Sequence, residues 1–252
     1  MKNEHTEQSE LAQAGFKVGL EEVLEDFFGL NIRSFRSFKT LFTKPAAYFN
    51  GAKSPDWQNG TYTPSPRLWL GLTAIIIALR FIWGSENSAY MKELVAAFRE
   101  GGITGDGAAH DWEKVTQQMI DTTLFFSPIA VIFVLLVLAT FLRFWGEKLS
   151  YFTRLRFLFA ALIPSAVLSI IYYLIVAILP APYHTLTYAF FAIMSFGVIT
   201  WMIACGGMQN YVGRKKWVRA VLMTAIIYLS ITIAGLIVLV VAIYLAIAPL
   251  YS

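Results

Sequence analysis

Residues 220–248 read AVLMTAIIYLSITIAGLIVLVVAIYLAIA, a run without one charged side chain. A helix that crosses the ~30 Å hydrocarbon core of a bilayer needs about 20 mostly apolar residues, because lipid offers an open backbone no hydrogen-bond partner. Four more runs share this character, and 57% of the whole chain is hydrophobic. We therefore predict an all-α, polytopic membrane helix bundle with five transmembrane helices, at residues 68–84, 124–145, 157–179, 185–205 and 220–248.

The distribution of charge predicts how the bundle is oriented. Between residues 33 and 67, ahead of the first span, six basic residues face the single acid Asp56, whereas the loop 85–123 is acidic. Arg214, Lys215, Lys216 and Arg219 then precede the last span, and no charged residue follows that span. Short loops rich in Lys and Arg stay in the cytoplasm. We expect a bacterial inner-membrane protein with its N-terminus in the cytoplasm and its C-terminus outside.

The chain divides into three parts by composition. Residues 1–15 are polar, and we expect them to be disordered. Residues 16–67 are predicted to hold cytoplasmic amphipathic helices and a linker rich in Gly, Pro, Asn and Ser, and residues 68–252 form the five-helix transmembrane domain. Pro45 is predicted to restart a helix in its first turn, and Ser65 to cap the first span.

The helix predicted near residue 32 carries the candidate contact surface. Aromatic residues recur there at steps of three and four, and three cations lie between them. This pattern is typical of a helix in the headgroup layer of a membrane. Docking against the cytoplasmic ends of the bundle is the alternative. The residues predicted to contact the membrane surface or a partner are Arg33, Phe35, Arg36, Phe38, Lys39 and Phe42.

Arg80 is the charge that lies well inside a predicted span, and no Asp or Glu occurs in any span. Its side chain either snorkels towards Glu86 or forms a buried functional pairing. The outer-loop residues Asp106, His110 and Asp111 could in principle hold a divalent ion, but a solvated acidic loop explains them better. We predict no catalytic, cofactor-binding or metal-binding residue, and no enzyme.

Small residues inside the spans are predicted to serve helix packing. Cys205 adjoins Gly206 and Gly207, and we expect a close helix contact there rather than thiol chemistry. Pro164 is expected to kink the third span. The other predicted packing residues are Ser165, Ser169, Ser195, Gly197, Ser230, Thr232 and Gly235.

Two segments before the first span carry a resemblance to known proteins. Residues 38–51 read FKTLFTKPAAYFNG and residues 62–70 read YTPSPRLWL. Together they resemble a bacterial family of five-span membrane proteins of unknown function, whose layout is similar to the Yip-domain group. Eukaryotic members of that group are linked to Rab GTPases and vesicle traffic. The Cys-pair zinc ribbon of many relatives is absent, so the resemblance implies no zinc site and no catalytic residue.

These observations lead to one functional expectation and one alternative. We expect a non-enzymatic membrane scaffold or interaction protein without a cofactor, whose partners are the lipid bilayer and a protein partner or a second copy, and not nucleic acid. A small permease or channel subunit is the alternative, with Arg80, Pro164 and the Ser and Thr residues of spans three to five lining its path.

Overall fold

The computed structural model describes residues 32–54, 56–83, 96, 112–141, 149–179 and 183–248. Within these residues the regular structure is helical. The helices are α1 (Ile32–Thr43), α2 (Pro45–Lys53), α3 (Trp57–Gly60), α4 (Ser65–Trp83), α5 (Trp112–Phe141), α6 (Tyr151–Val176), α7 (His184–Met202) and α8 (Arg214–Ile247), with a π-helix at Ile203–Gly207.

Four segments are long and apolar enough to cross a membrane: Lys114–Phe141, Tyr151–Val176, Leu186–Gly207 and Arg214–Ala246. They lie in α5 to α8, and each of these helices packs against the next, while α8 also packs along α5. Large apolar side chains on their outer faces are exposed, among them Phe133, Ile193 and Val240. A soluble surface rarely exposes so much continuous apolar area, whereas a surface in contact with lipid must do so. The chain thus has the architecture of a multi-pass membrane protein.

Helix α4 covers most of the first predicted span and runs parallel to α6 on the outside of the four-helix ring. At one end, the Ser65 hydroxyl donates a hydrogen bond to the carbonyl of Arg156 at 2.7 Å. Further along, the rings of Trp69 and Phe159 lie 5.3 Å apart. The 19 residues of α4 give it a length of about 28 Å.

Helices α1 to α3 and the residues up to Thr63, which we call the cap, cover the end of the bundle where α4, α6 and α8 begin. The cap docks through α2, which packs against the π-helix and the first turns of α6. Its buried residues Leu41, Tyr48, Phe49 and Trp57 belong to the same core cluster as the bundle residues Phe157 and Met202. The cap is therefore continuous with the bundle.

The local predictions had mixed outcomes. Helix α2 does begin at Pro45, as predicted. Ser65, predicted to cap the first span, is the first residue of α4, and its hydroxyl donates a hydrogen bond to the carbonyl of Arg156 on α6. The segment expected to be a linker is packed, since Trp57 and Thr63 are buried in it.

The packing role predicted for the glycines in the spans also needs correction. A Cβ atom added at Gly197 or Gly235 would meet nothing within 4 Å, so among the described residues neither glycine permits a close helix approach. The close helix contact expected beside Cys205 is confirmed at Gly206, where the partner is the cap residue Phe49 of α2. Pro164 lies buried inside α6.

Candidate functional site

The candidate site is the exposed side of α1, which carries most of the residues predicted to contact a surface or a partner. Arg33, Arg36 and Lys39 are exposed along one strip. Phe35 is 56% exposed and Phe42 is 41% exposed. The 3.6-residue repeat of the helix places the two phenylalanines on a second strip, between the cations and the buried side. The site is thus a basic strip flanked by an aromatic edge.

The opposite side of α1 is buried, and it is not the all-apolar face that the sequence suggested. Ser34 and Ser37 are fully buried together with Leu41, while Phe38 is partly buried against the core. The Ser37 hydroxyl accepts a hydrogen bond from the Thr63 amide at 2.8 Å, and the Ser34 and Thr63 hydroxyls lie 3.1 Å apart. These bonds fix which side of α1 faces outward.

Tyr48 joins the two segments that carry the family resemblance. Its hydroxyl donates a hydrogen bond to the carbonyl of Thr63 at 2.9 Å. Its ring lies 5.6 Å from that of Trp57 and 5.5 Å from that of Tyr62. Burial raises the pKa of the Tyr48 hydroxyl well above its ordinary value, so the side chain stays neutral and acts as a donor. Among the described residues, these two segments together form the surface on which α1 packs.

Phe49 anchors the cap on the end of α7. Its ring packs edge-on against Phe157 with centroids 4.9 Å apart. A Cβ on Gly206 would lie 2.6 Å from Cε2 of Phe49, closer than real Cβ contacts, so this site requires glycine. Gln209 donates hydrogen bonds to the carbonyls of Gly206, at 2.9 Å, and Ala46, at 3.3 Å. The π-helix therefore lies where α7 accommodates the cap.

Arg156, near the start of α6, holds the end of α2. Its Nη1 donates to the carbonyl of Ala52 at 3.2 Å and to that of Ser54 at 2.9 Å. Its guanidinium lies over the Trp57 ring, 5.4 Å from the centroid. A cation at a helix C-terminus is favourable because the free carbonyls carry partial negative charge. Arg156 therefore ties the cap to α6 by charge and by stacking.

The electrostatics of the cap end are strongly positive. Asp56 is its one acid within the described residues, and this acid accepts a hydrogen bond from Ser54. The potential of such a surface attracts anions and disfavours cationic partners. The described basic residues at this end are Arg33, Arg36, Lys39, Lys44, Lys53, Arg67, Arg154, Arg156, Arg214, Lys215, Lys216 and Arg219.

Arg80 lies at the opposite end of α4, away from the cap. Its Nε donates a hydrogen bond to the Tyr173 hydroxyl, and its guanidinium lies 5.0 Å from the centroid of that ring. The Tyr173 ring is packed against Tyr172. The side chain is half-buried and contacts an aromatic residue of α6, whereas Glu86 lies outside the described residues.

Several predicted features fall outside the described residues, among them the segments 1–15 and 16–31 and the outer-loop residues Asp106, His110 and Asp111. Within the part of the chain that is described, no group of three or more His, Cys, Asp and Glu side chains could hold a metal ion. Sequence reasoning missed the roles of Tyr48 and Arg156. The Gly-Gly pair at the end of the fourth span did predict the close contact at Gly206, although not its partner Phe49.

Comparison of the chain with protein-family models, with curated proteins and with solved structures returned no match. The site must therefore be interpreted from its own geometry and charge.

The hydroxyl of Tyr48 offers a direct test of the support beneath α1. We expect Tyr48→Phe to lower stability by about 1–2 kcal/mol, because the buried Thr63 carbonyl loses a donor while the ring remains. The measurement is the thermal unfolding of the protein in lipid nanodiscs. Tyr62→Phe, at the neighbouring ring, is the control, and an equal loss in both variants would contradict this role for Tyr48.

Proposed function

We propose that this protein is a non-enzymatic scaffold of the bacterial inner membrane, Yip-like in layout, whose cap presents α1 as an interaction surface on the cytoplasmic side. The observation that carries the proposal is the anchoring of the cap. Buried Tyr48 and Phe49, with Arg156, fix the cap on the bundle, while Arg36 and Lys39 remain exposed. A rigid support beneath an exposed charged face suits binding rather than chemistry.

The proposal includes a fifth crossing by α4. Its partner α6 is itself long and apolar enough to span, and contacts from Ser65 to Arg80 accompany α6 along its length. Helices that pack in parallel over about 28 Å share one depth in the bilayer. With α4 included, five crossings place the two chain ends on opposite sides. The positive-inside rule then assigns the basic cap end to the cytoplasm.

The scaffold proposal is tested by crosslinking in intact membranes, followed by affinity purification. We expect a stoichiometric partner, either another protein or a second copy of this chain. Recovery of the partner is then compared between two triple variants. One removes three cations from α1 (Arg33→Gln, Arg36→Gln and Lys39→Gln), and the other removes three from the start of α8 (Arg214→Gln, Lys215→Gln and Lys216→Gln). A chain that purifies only as a clean monomer contradicts the scaffold function.

A small permease remains the second candidate, and the observation in its favour is Arg80. A guanidinium that is half-buried between two helices and bonded to Tyr173 is the kind of intramembrane charge that often marks a path for anions. If the chain is a permease, solute flux into proteoliposomes should disappear with Arg80→Leu and persist with Arg67→Leu at the cap end. Absence of flux in the unaltered protein argues against this candidate.

A further inference from the structure

The outward side of α1 has the amphipathic order of a membrane interface. Phe35 and Phe42 form an apolar strip, and Arg36 and Lys39 form a basic strip beside it. An interfacial helix places its apolar strip at the boundary of headgroups and acyl chains and its cations at the phosphates. We propose that this face of α1 binds the headgroup layer of an anionic leaflet. The inference rests on the proposed function, since it needs the cap to lie beside the membrane.

The depth of α1 follows from its hydrogen bonds. Ser34 and Ser37 contact Thr63, which is two residues before the first residue of α4. Two residues of chain span at most about 7 Å. Since Ser65 at the start of α4 bonds to Arg156, directly before the uncharged apolar run of α6, α1 lies close to the level at which lipid headgroups meet the protein.

The position of α1 in the cap leaves this face open to lipid. Its extensive helix contacts are with α2. Its buried serines contact Thr63, two residues before α4, and the extensive contacts of α4 are with α6. The buried side of α1 is held by serine hydroxyls, which give it one fixed rotation. The aromatic edge is therefore presented beside the bundle, where acyl chains would cover the exposed ring area.

Charge selects phospholipid phosphates as the ligand. The described cap end holds many cations and one acid, Asp56. An anionic leaflet attracts each nearby Lys or Arg by an energy equivalent to about fivefold in affinity. An acidic protein would satisfy the cations, but a bilayer also covers Phe35 and Phe42. The cations match the phosphates of a leaflet, and the aromatic rings on the adjoining strip match the boundary of headgroups and acyl chains.

The test uses the full chain in vesicles. In a Cys205→Ser background, a fluorophore is attached at Phe35→Cys, and quenching is measured with a quencher carried at shallow depth on a lipid. We expect strong quenching in phosphatidylcholine vesicles that contain phosphatidylglycerol and weaker quenching in phosphatidylcholine alone. A label at Phe42→Cys is the second position, in case Phe35→Cys disturbs the helix, and we expect the same lipid dependence there.

The matched variants separate this face from general positive charge. Replacing Arg33, Arg36 and Lys39 with Gln should lower the affinity of α1 for the anionic leaflet on the order of a hundredfold. It should also remove the quenching gained with phosphatidylglycerol. The same number of replacements at Arg214, Lys215 and Lys216 should leave most of that gain. Three results would each overturn the proposal: equal quenching in both vesicle types, equal effects of the two triple variants, or an unquenched label that crosslinks to a protein.

Failure of this proposal and failure of the proposed function are distinguishable. If the labels are not quenched but a stoichiometric partner is still recovered, the lipid assignment falls and the scaffold stands. If the labels are quenched but the chain purifies as a monomer, α1 is a membrane-surface helix and the scaffold function falls.

Discussion

Gly206→Ala should release the cap, because the added Cβ would overlap the ring of Phe49. Phe49 cannot retreat easily, since it is fully buried and packs against Phe157 at 4.9 Å. Overpacking of this kind usually costs about 1–3 kcal/mol. We expect a melting temperature lowered by several degrees in nanodiscs, together with faster proteolysis of the cap.

Gly197→Ala is the matched control, because a Cβ there meets nothing within 4 Å. It should leave stability unchanged or raise it slightly, since alanine favours helix over glycine. Phe49→Ala alone should cost about 3–5 kcal/mol. The double variant Phe49→Ala with Gly206→Ala should lose less than the sum of the two single losses. Additive losses would show that Phe49 and Gly206 are not packed against each other.

Arg156→Leu should detach the end of α2 while leaving the bundle folded. The substitution takes a charged donor from two carbonyls, those of Ala52 and Ser54, and a cation from the face of Trp57. Hydrogen bonds to charged groups contribute about 1.5–3 kcal/mol, and a cation–π contact adds about 0.5–2 kcal/mol. We expect rapid protease cleavage between residues 53 and 63 and a shift in the fluorescence of Trp57.

The control is Arg154→Leu, two residues away on α6. Arg154 donates to the carbonyl of Thr140 on α5 at 3.2 Å and makes no such bond to the cap among the described residues. Cleavage between residues 53 and 63 should stay slow in this variant. Arg156→Lys should be intermediate, because an ammonium keeps the charge but lacks the planar fork of guanidinium. Equal cleavage in the Arg154 and Arg156 variants would contradict the role assigned to Arg156.

The long apolar helices could be predicted from sequence because lipid imposes one strong rule, namely about 20 apolar residues in a helix. The predicted ends of these helices were less accurate. Helix α6 begins at Tyr151, six residues before the predicted span, because Ser150 accepts a hydrogen bond from the amide of Thr153 and caps it. Polar first turns outside the hydrocarbon core leave no hydropathy signal.

The packing of the cap could not be predicted from periodicity. Docking of the aromatic side of α1 on the bundle was the alternative that the sequence left open, but Ser34 and Ser37 are buried and Phe35 is exposed. The reason is a pair of long-range hydrogen bonds to Thr63, which no local pattern announces. The cations Arg33, Arg36 and Lys39 were predicted to be outward, since charged side chains are rarely buried without partners. A close contact at Gly206 could be predicted from the Gly-Gly pair, but its partner Phe49 is set by tertiary structure.

The orientation proposed for this protein requires an odd number of membrane crossings, with the cap in the cytoplasm. A reporter fused after Ser252 tests this directly, with one version active only in the cytosol and a second active only outside the membrane. We expect the external reporter to be active after Ser252, and the cytosolic reporter to be active when it is fused before Ile32 instead. A cytosolic reporter that is active after Ser252 would contradict the five crossings and the orientation proposed for the cap.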